Sequence, residues 1–298
     1  MAEMEQQYTE LKLIVPWGHI AAKAYGSSTG KFVLMVHGLM DNLGTFTRLV
    51  KYLPMEYYYV CIDLPGHGHS SYFPSWIVID IINYVHVIHY VLEALQWKTC
   101  IYIGHSIGAL IGIFFSVSQP HRIEKLIALD GIIPVTANTE TMFIRVFKEL
   151  YTLTIEAENN VKSYLYTKEE VLHALKNKRS AALNSDAAEA IFKRAVTETN
   201  GRYKFVRDNR LKRKRLSSLS LQGLIYIVRN LSVPLYLFIA SHGLEIQFNE
   251  VAKVIESINP TSLSQLICIK GNHDFHNNHP ERIAPFICEI LHNNSSKL

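Results

Sequence analysis

The chain has 298 residues, 48% of them hydrophobic and 19% charged, and a formal net charge of +4. These values describe a globular chain large enough for one sizeable α/β core, and so small a net charge gives no electrostatic reason to expect a nucleic-acid partner. The basic run at 207–215 has no interleaved aromatic platform and reads as a solvated face, while the longest apolar tract, Trp76 to Trp97, is interrupted by Asp80, Asn83, His86, His89 and Glu93 and reads as an amphipathic core helix, with no membrane span.

The polar, acidic start (Met1-Ala2-Glu3-Met4-Glu5) lacks the basic end and apolar centre of a signal peptide. Leu11 to Val15 and His19 to Tyr25 predict two strands around a Pro16-Trp17-Gly18 turn, and Phe32 to Val36 is an uninterrupted apolar strand ending on His37-Gly38. A helix near Thr45 to Leu53 precedes the strand Tyr57 to Ile62, which closes on Asp63 and the turn Gly66-His67-Gly68. Trp76 to Leu95 is expected to be helical, followed by a strand from Cys100 to Ile103, a helix after Ser106, and a strand from Lys125 to Leu129 that stops at Asp130-Gly131. Continuous apolar strands alternating with helices imply a mostly parallel, doubly wound sheet covered on both faces.

From residue 134 to 221 strand-like runs give way to charged, helix-favouring segments, which predicts a helical cap inserted between two parts of the core, 1–133 and 222–298. The core resumes with a strand at Pro234 to Ala240, a helix at Phe248 to Ile258, a strand at Leu266 to Ile269 and a closing helix at Pro280 to His292. The four cysteines (Cys61, Cys100, Cys268, Cys288) lack the close spacing of zinc or redox motifs, so unpaired thiols, three of them buried, and a reducing compartment are expected.

The stretch Gly104-His105-Ser106-Ile107-Gly108 lies where a strand turns sharply into a helix. Glycines two positions either side relieve collisions at such a bend and leave the serine at its apex, the arrangement of a nucleophile elbow. A serine hydroxyl is a poor nucleophile at neutral pH and needs an imidazole to take its proton. In this architecture the base follows the last strand, which selects His273 in Gly271-Asn272-His273, with His276 as the fallback. The oxyanion of a tetrahedral intermediate needs two fixed N–H donors, each worth roughly 3–4 kcal/mol. The main-chain N–H groups of Ile107 and Leu39 occupy the expected positions. For the acid that orients the imidazole, Glu245 is the only carboxylate in the loop after the seventh strand. Asp130, after the sixth, is the alternative, and its structural reading is a strand-end cap; a third possibility is that no acid acts. Asp63 and His37 read as braces for their loops.

With these residues in view, the chain resembles the α/β-hydrolase superfamily, and within it the serine hydrolase-like proteins. The resemblance spans nearly the whole chain and is sharpest in Glu10-Leu11-Lys12-Leu13 with Val15 to Ala24, His37-Gly38 with Asp41-Asn42, Gly66-His67-Gly68, Gly104-His105-Ser106, Asn209-Arg210-Leu211 and Gly271-Asn272-His273. It implies a serine hydrolase of the α/β-hydrolase fold with a helical cap, Ser106 as nucleophile, His273 as base, no cofactor and a peroxisomal or vesicular location; an eight-stranded sheet and no metal are expected with it. The departures are Ala109, where a second glycine is common, and Glu245-Ile246, where an aspartate is expected.

A serine at the elbow excludes mechanisms that use a carboxylate nucleophile there, and leaves esterase, thioesterase, amidase and carbon–carbon hydrolase chemistry. Phe143, Ile144, Val146, Phe147, Leu150 and Tyr151 in the cap suit a small acyl or aromatic ester, or are cap core. The competing reading is a weakly active or non-catalytic fold that binds a small molecule. The final Ser296-Lys297-Leu298 matches the address read by the peroxisomal import receptor, so a peroxisomal location is expected, with the cytoplasm as the alternative.

Overall fold

The computed structural model describes residues 7–132, 144, 148, 164–213, 220–243 and 248–293. Eight strands form one sheet in the order β1-β2-β4-β3-β5-β6-β9-β10: β1 (Thr9–Val15), β2 (Gly18–Gly26), β3 (Phe32–Val36), β4 (Tyr58–Ile62), β5 (Cys100–His105), β6 (Ile123–Leu129), β9 (Leu235–His242) and β10 (Leu263–Asn272). β1 and β2 are antiparallel to their neighbours, and β4, β3, β5, β6, β9 and β10 run parallel. The expected eight-stranded, mostly parallel α/β sheet is therefore present.

Strand periodicity divides the core in two. Leu34, Val36, Val60, Ile62 and Tyr102 point to the face covered by α2 (Ile81–Ala94) and α3 (Ile107–Ser118). Val33, Met35, Tyr59, Cys61, Ile101 and Ile103 point to the other, where α1 (Thr47–Val50) and α9 (Ala284–His292) pack. Each fully buried aliphatic side chain contributes about 1.5–3 kcal/mol against the entropy of ordering the chain. Because β3, β4, β5, β6, β9 and β10 are parallel, their carboxyl ends form one edge, and the loops leaving that edge carry His37, Asp63, Ser106, Asp130 and His273.

α2 starts later than the sequence pattern predicts. Asp80 accepts the N–H of Ile82 while the Asn83 side chain accepts the N–H of Asp80, so this reciprocal cap fixes the first turn at Ile81 and leaves Trp76 outside the helix. All four cysteines are free; Cys61 and Cys100 are buried, Cys288 is half-buried and Cys268 exposed, so two rather than three are core residues. Among the described residues no helix is long and apolar enough to cross a membrane.

The described part of the cap contains α4 (Lys168–Asn177) and α5 (Ser185–Ala195), capped by Thr167 and Asn184 respectively. It is not purely helical: β7 (Val196–Thr199) and β8 (Arg202–Phe205) pair as a hairpin. Asn200 and Gly201 supply the two positive φ angles, 50° and 73°, that a tight two-residue hairpin turn demands. Val171, Leu175, Ala188, Ile191 and Phe192 give the cap its own small core. It docks on the carboxyl edge through Asn42, whose Nδ2 donates to the Ile191 carbonyl (3.0 Å), and through Asn184, whose N–H donates to Asn278 Oδ1 (2.8 Å). Arg194 of α5, itself buried, donates through Nε to Asp63 Oδ2 (2.9 Å) and through Nη1 to Glu10 (2.8 Å). α6 (Leu221–Arg229) and α7 (Phe248–Glu256) return the chain to the core. Of the apolar cap residues singled out above, only Ile144 lies within the described residues, and it is exposed.

Candidate active site

Ser106 joins β5 to α3 with φ 54° and ψ −121°. A non-glycine residue held there stores on the order of 1–3 kcal/mol of strain. The flanking glycines explain how the bend closes. A Cβ on Gly104 would lie 2.5 Å from the main chain of Gly108 and Ala109, and one on Gly108 would lie 2.2 Å from the Val36 carbonyl oxygen. Strand, helix and the neighbouring β3 thus pack backbone to backbone, and the serine is pushed to the lip, half-buried. Its own N–H is held by the Leu129 carbonyl (3.0 Å), which ties the bend to the end of β6. Ala109, the departure at the elbow, is accommodated by Gly131, where a Cβ would sit 2.1 Å from that of Ala109.

His273 follows β10 and is buried, with Nδ1 2.6 Å from Asp130 Oδ2. The carboxylate can only accept, so Nδ1 carries the proton and Nε2 keeps its lone pair. Asp130 is itself in a left-handed conformation (φ 47°); its Oδ1 accepts the N–H of Ala240 on β9 (3.0 Å) and its N–H donates to Phe238 (2.8 Å). One oxygen therefore serves as the strand-end cap that the sequence suggests, and the other faces the imidazole. Glu245, to which the sequence analysis gives this position, lies outside the described residues, and the Nδ1 it would have to engage already has Asp130 as its partner.

The loop after β3 passes close to the elbow: a Cβ on Gly38 would lie 3.1 Å from Ser106 Cβ. Leu39 follows Gly38 in that loop, and Ile107 follows Ser106 with an N–H that is one of those an α-helix leaves without an internal partner at its first turn. Two buried histidines set this loop. His37 Nε2 accepts the N–H of Leu64 (3.0 Å) and its Nδ1 donates to the Gly38 carbonyl (2.7 Å). His67 Nε2 accepts the N–H of Met40 (3.1 Å), a residue at φ 66°, and its Nδ1 donates to Pro65 (3.0 Å). Burial lowers both pKa values, that of His67 to about 3, so both act as neutral braces. Asp63 braces as expected, accepting the N–H groups of Leu43 (2.8 Å) and His69 (2.9 Å). That His67 supports Met40 has no signal in the sequence beyond the turn Gly66-His67-Gly68.

A second polar cluster lies behind the first. His105, next to the serine, donates through Nε2 to the His273 carbonyl (3.0 Å), and its ring is 4.0 Å from that of His276. The fallback base, His276, is fully buried, with Nε2 against Thr45 Oγ1 (2.8 Å). Burial first, then neighbouring histidines, holds both rings well below the usual imidazole pKa. Asp274 Oδ1 accepts from Arg179 of the cap at 2.8 Å, and Asp41 Oδ2 lies 3.5 Å from the same guanidinium. Burial raises Asp274 to about 6 although Arg179 pulls the other way. Among the described residues, Asp41, His105 and Asp274 each bring one potential ligand atom within 4.8 Å of the others.

The model of the alpha/beta hydrolase fold family matches residues 31–242, the segment that contains the elbow, Asp130 and the insertion. The chain is a member of the alpha/beta hydrolase family. Within it, the chain is 31% identical over 296 residues to the "Serine hydrolase-like protein" of Danio rerio, covering 97% of this chain and 90% of the relative. It is also 31% identical to "Serine hydrolase-like protein 2" of Homo sapiens, covering 95% of this chain and 94% of that one. The serine hydrolase-like affiliation that the resemblance implies is thereby established. Among solved structures, a hypothetical protein of Pseudomonas aeruginosa superposes with a TM-score of 0.83 at 24% identity, covering 95% of this chain and 97% of its own, a likeness of fold.

Proposed function

We propose that this hydrolase cleaves a carboxylic ester or thioester through an acyl-enzyme at Ser106, with His273 as general base and Asp130 as the acid that orients it. The observation that carries the reading is the 2.6 Å contact between Asp130 and His273, which fixes the imidazole tautomer with Nε2 free to take a proton. Ser106 Oγ attacks the acyl carbon and gives its proton to Nε2; the carbonyl electrons move onto the oxygen, where the N–H groups of Leu39 and Ile107 stabilise the charge. Return of the electron pair expels the alkoxide or thiolate, which leaves with the proton from Nε2. Water then attacks the acyl-serine by the same steps and releases the acid. Asp130 stays ionised and stabilises the imidazolium while it exists.

The acid role goes to Asp130 in place of Glu245 because an imidazole has one Nδ1, and a carboxylate already holds it. A small acyl or aromatic substrate suits the apolar residues Phe143, Ile144, Val146, Phe147, Leu150 and Tyr151 interspersed in that segment of the cap. A fluorophosphonate probe tests the reading: Ser106 is expected to be labelled, with labelling lost in His273→Ala, and p-nitrophenyl esters and acyl-CoA thioesters to be turned over. Folded protein that neither labels nor turns over either series would instead be a small-molecule binding protein.

A further inference from the structure

Behind His273, side chains from three parts of the chain remote in sequence come together: Asp41 from the loop after β3, His105 before Ser106 and Asp274 after His273. His105 and Asp274 are 2% and 1% exposed, yet His105 Nδ1 and Asp274 Oδ2 have no hydrogen-bond partner. Both are acceptors, since His105 spends its proton on the His273 carbonyl. A buried acceptor left unmatched costs about 1–3 kcal/mol, and here two lie in the same pocket as a further carboxylate. Among the described residues the ion pairs here are uneven: the carboxylates of Asp41 and Asp274 share the one guanidinium of Arg179. Gly38 keeps the space open, because a Cβ there would come within 2.9 Å of His105 Nδ1.

We propose that Asp41, His105 and Asp274 form a binding site for a zinc-class divalent metal ion. The donor set, one neutral imidazole nitrogen and two carboxylate oxygens, is that of borderline divalent ions, with a water completing the shell. The carbonyl that receives the Nε2 proton of His105 is the partner a metal-binding histidine ordinarily has, fixing both tautomer and ring orientation. Arg179 is the competing cation. Its side chain closes the pocket from the cap side and engages Asp274 through Oδ1, leaving Oδ2 for the ion. The inference does not depend on what Ser106 does.

The test uses the full chain, dialysed against EDTA and titrated with zinc chloride by calorimetry. Cobalt(II) provides the visible ligand-field spectrum of a four- or five-coordinate site, and the melting temperature provides a third readout. One equivalent is expected to bind and raise the melting temperature. Asp274→Asn and, independently, Asp41→Asn should each weaken binding by roughly tenfold or more. Arg179→Gln should tighten it by a similar factor, because it removes the competing charge while sparing the ligands. Two results would overturn the site: no heat, cobalt band or melting shift in folded wild-type and Arg179→Gln proteins, as for a pocket filled by water, or zinc binding unchanged in both aspartate variants.

Discussion

Two buried carboxylates lie close to the same histidine and have opposite partners. Asp130, at the end of β6, divides its oxygens between the Ala240 N–H and the imidazole of His273. Asp274, the next residue in the chain after that imidazole, turns away to the guanidinium of Arg179. Imidazole can pass a proton on through its second nitrogen near neutrality, whereas guanidinium keeps its own and offers its carboxylate no such relay. Burial is shared and does not separate the roles; the identity of the partner does.

The contrast breaks most visibly at Asp130. If it orients His273, Asp130→Asn should lower kcat by about 10^4 in ester hydrolysis while the fold persists, whereas Glu245→Gln should change kcat only a few-fold. The reverse ranking would return the acid role to Glu245. At the other pair, Arg179→Met leaves two buried carboxylates without their cation, and the unfolding free energy should fall by about 3 kcal/mol in urea titrations. That is the lower end for a broken buried pair, because the Arg179 side chain is 20% exposed. A smaller effect follows with pH. Asp274 is held at about 6 in the fold, above its unfolded value of about 4, so the folded state binds its proton more tightly and stability rises as pH falls through that interval. Without the guanidinium the folded value climbs further. Arg179→Met should therefore regain stability between pH 7 and pH 5, and Arg179→Met/Asp274→Asn should regain much less; equal slopes would remove Asp274 from the account. The smallest effect concerns the ground beside Asp130: Gly131→Ala, which pushes on Ala109 and on the Ser106 carbonyl oxygen, should cost roughly 1–3 kcal/mol, and Ala109→Gly in the same chain should restore only the part due to Ala109.

The strands, the sharp bend at Ser106 and the position of His273 were legible in the sequence because each depends on local pattern: apolar runs of strand length, glycines at fixed offsets from Ser106, a histidine after the last strand. Asp130 was legible only as an alternative, since a carboxylate at a strand end has an ordinary capping use, which one of its oxygens does perform. The hairpin of the cap had a readable signal in Asn200-Gly201, outweighed there by the charged segments on either side. The later start of α2 was likewise written in the spacing of Asp80 and Asn83. Arg179, Arg194 and the inward face of His105 had no such signal. Their partners lie tens to well over a hundred residues away, and a basic residue in an amphipathic helix, as Arg194 is, or just past the end of one, as Arg179 is, looks solvated until the surface it meets is known.

The bridge from Arg194 to Asp63 carries one more consequence. Asp63 also receives the amide hydrogens of Leu43 and His69, so the same carboxylate that shapes the core loops grips the inserted segment. Pulling the insertion away would strand a charge at the heart of the sheet's edge, and neither piece can loosen without weakening the other. Heating should accordingly produce one calorimetric peak, with the van't Hoff and measured enthalpies in agreement.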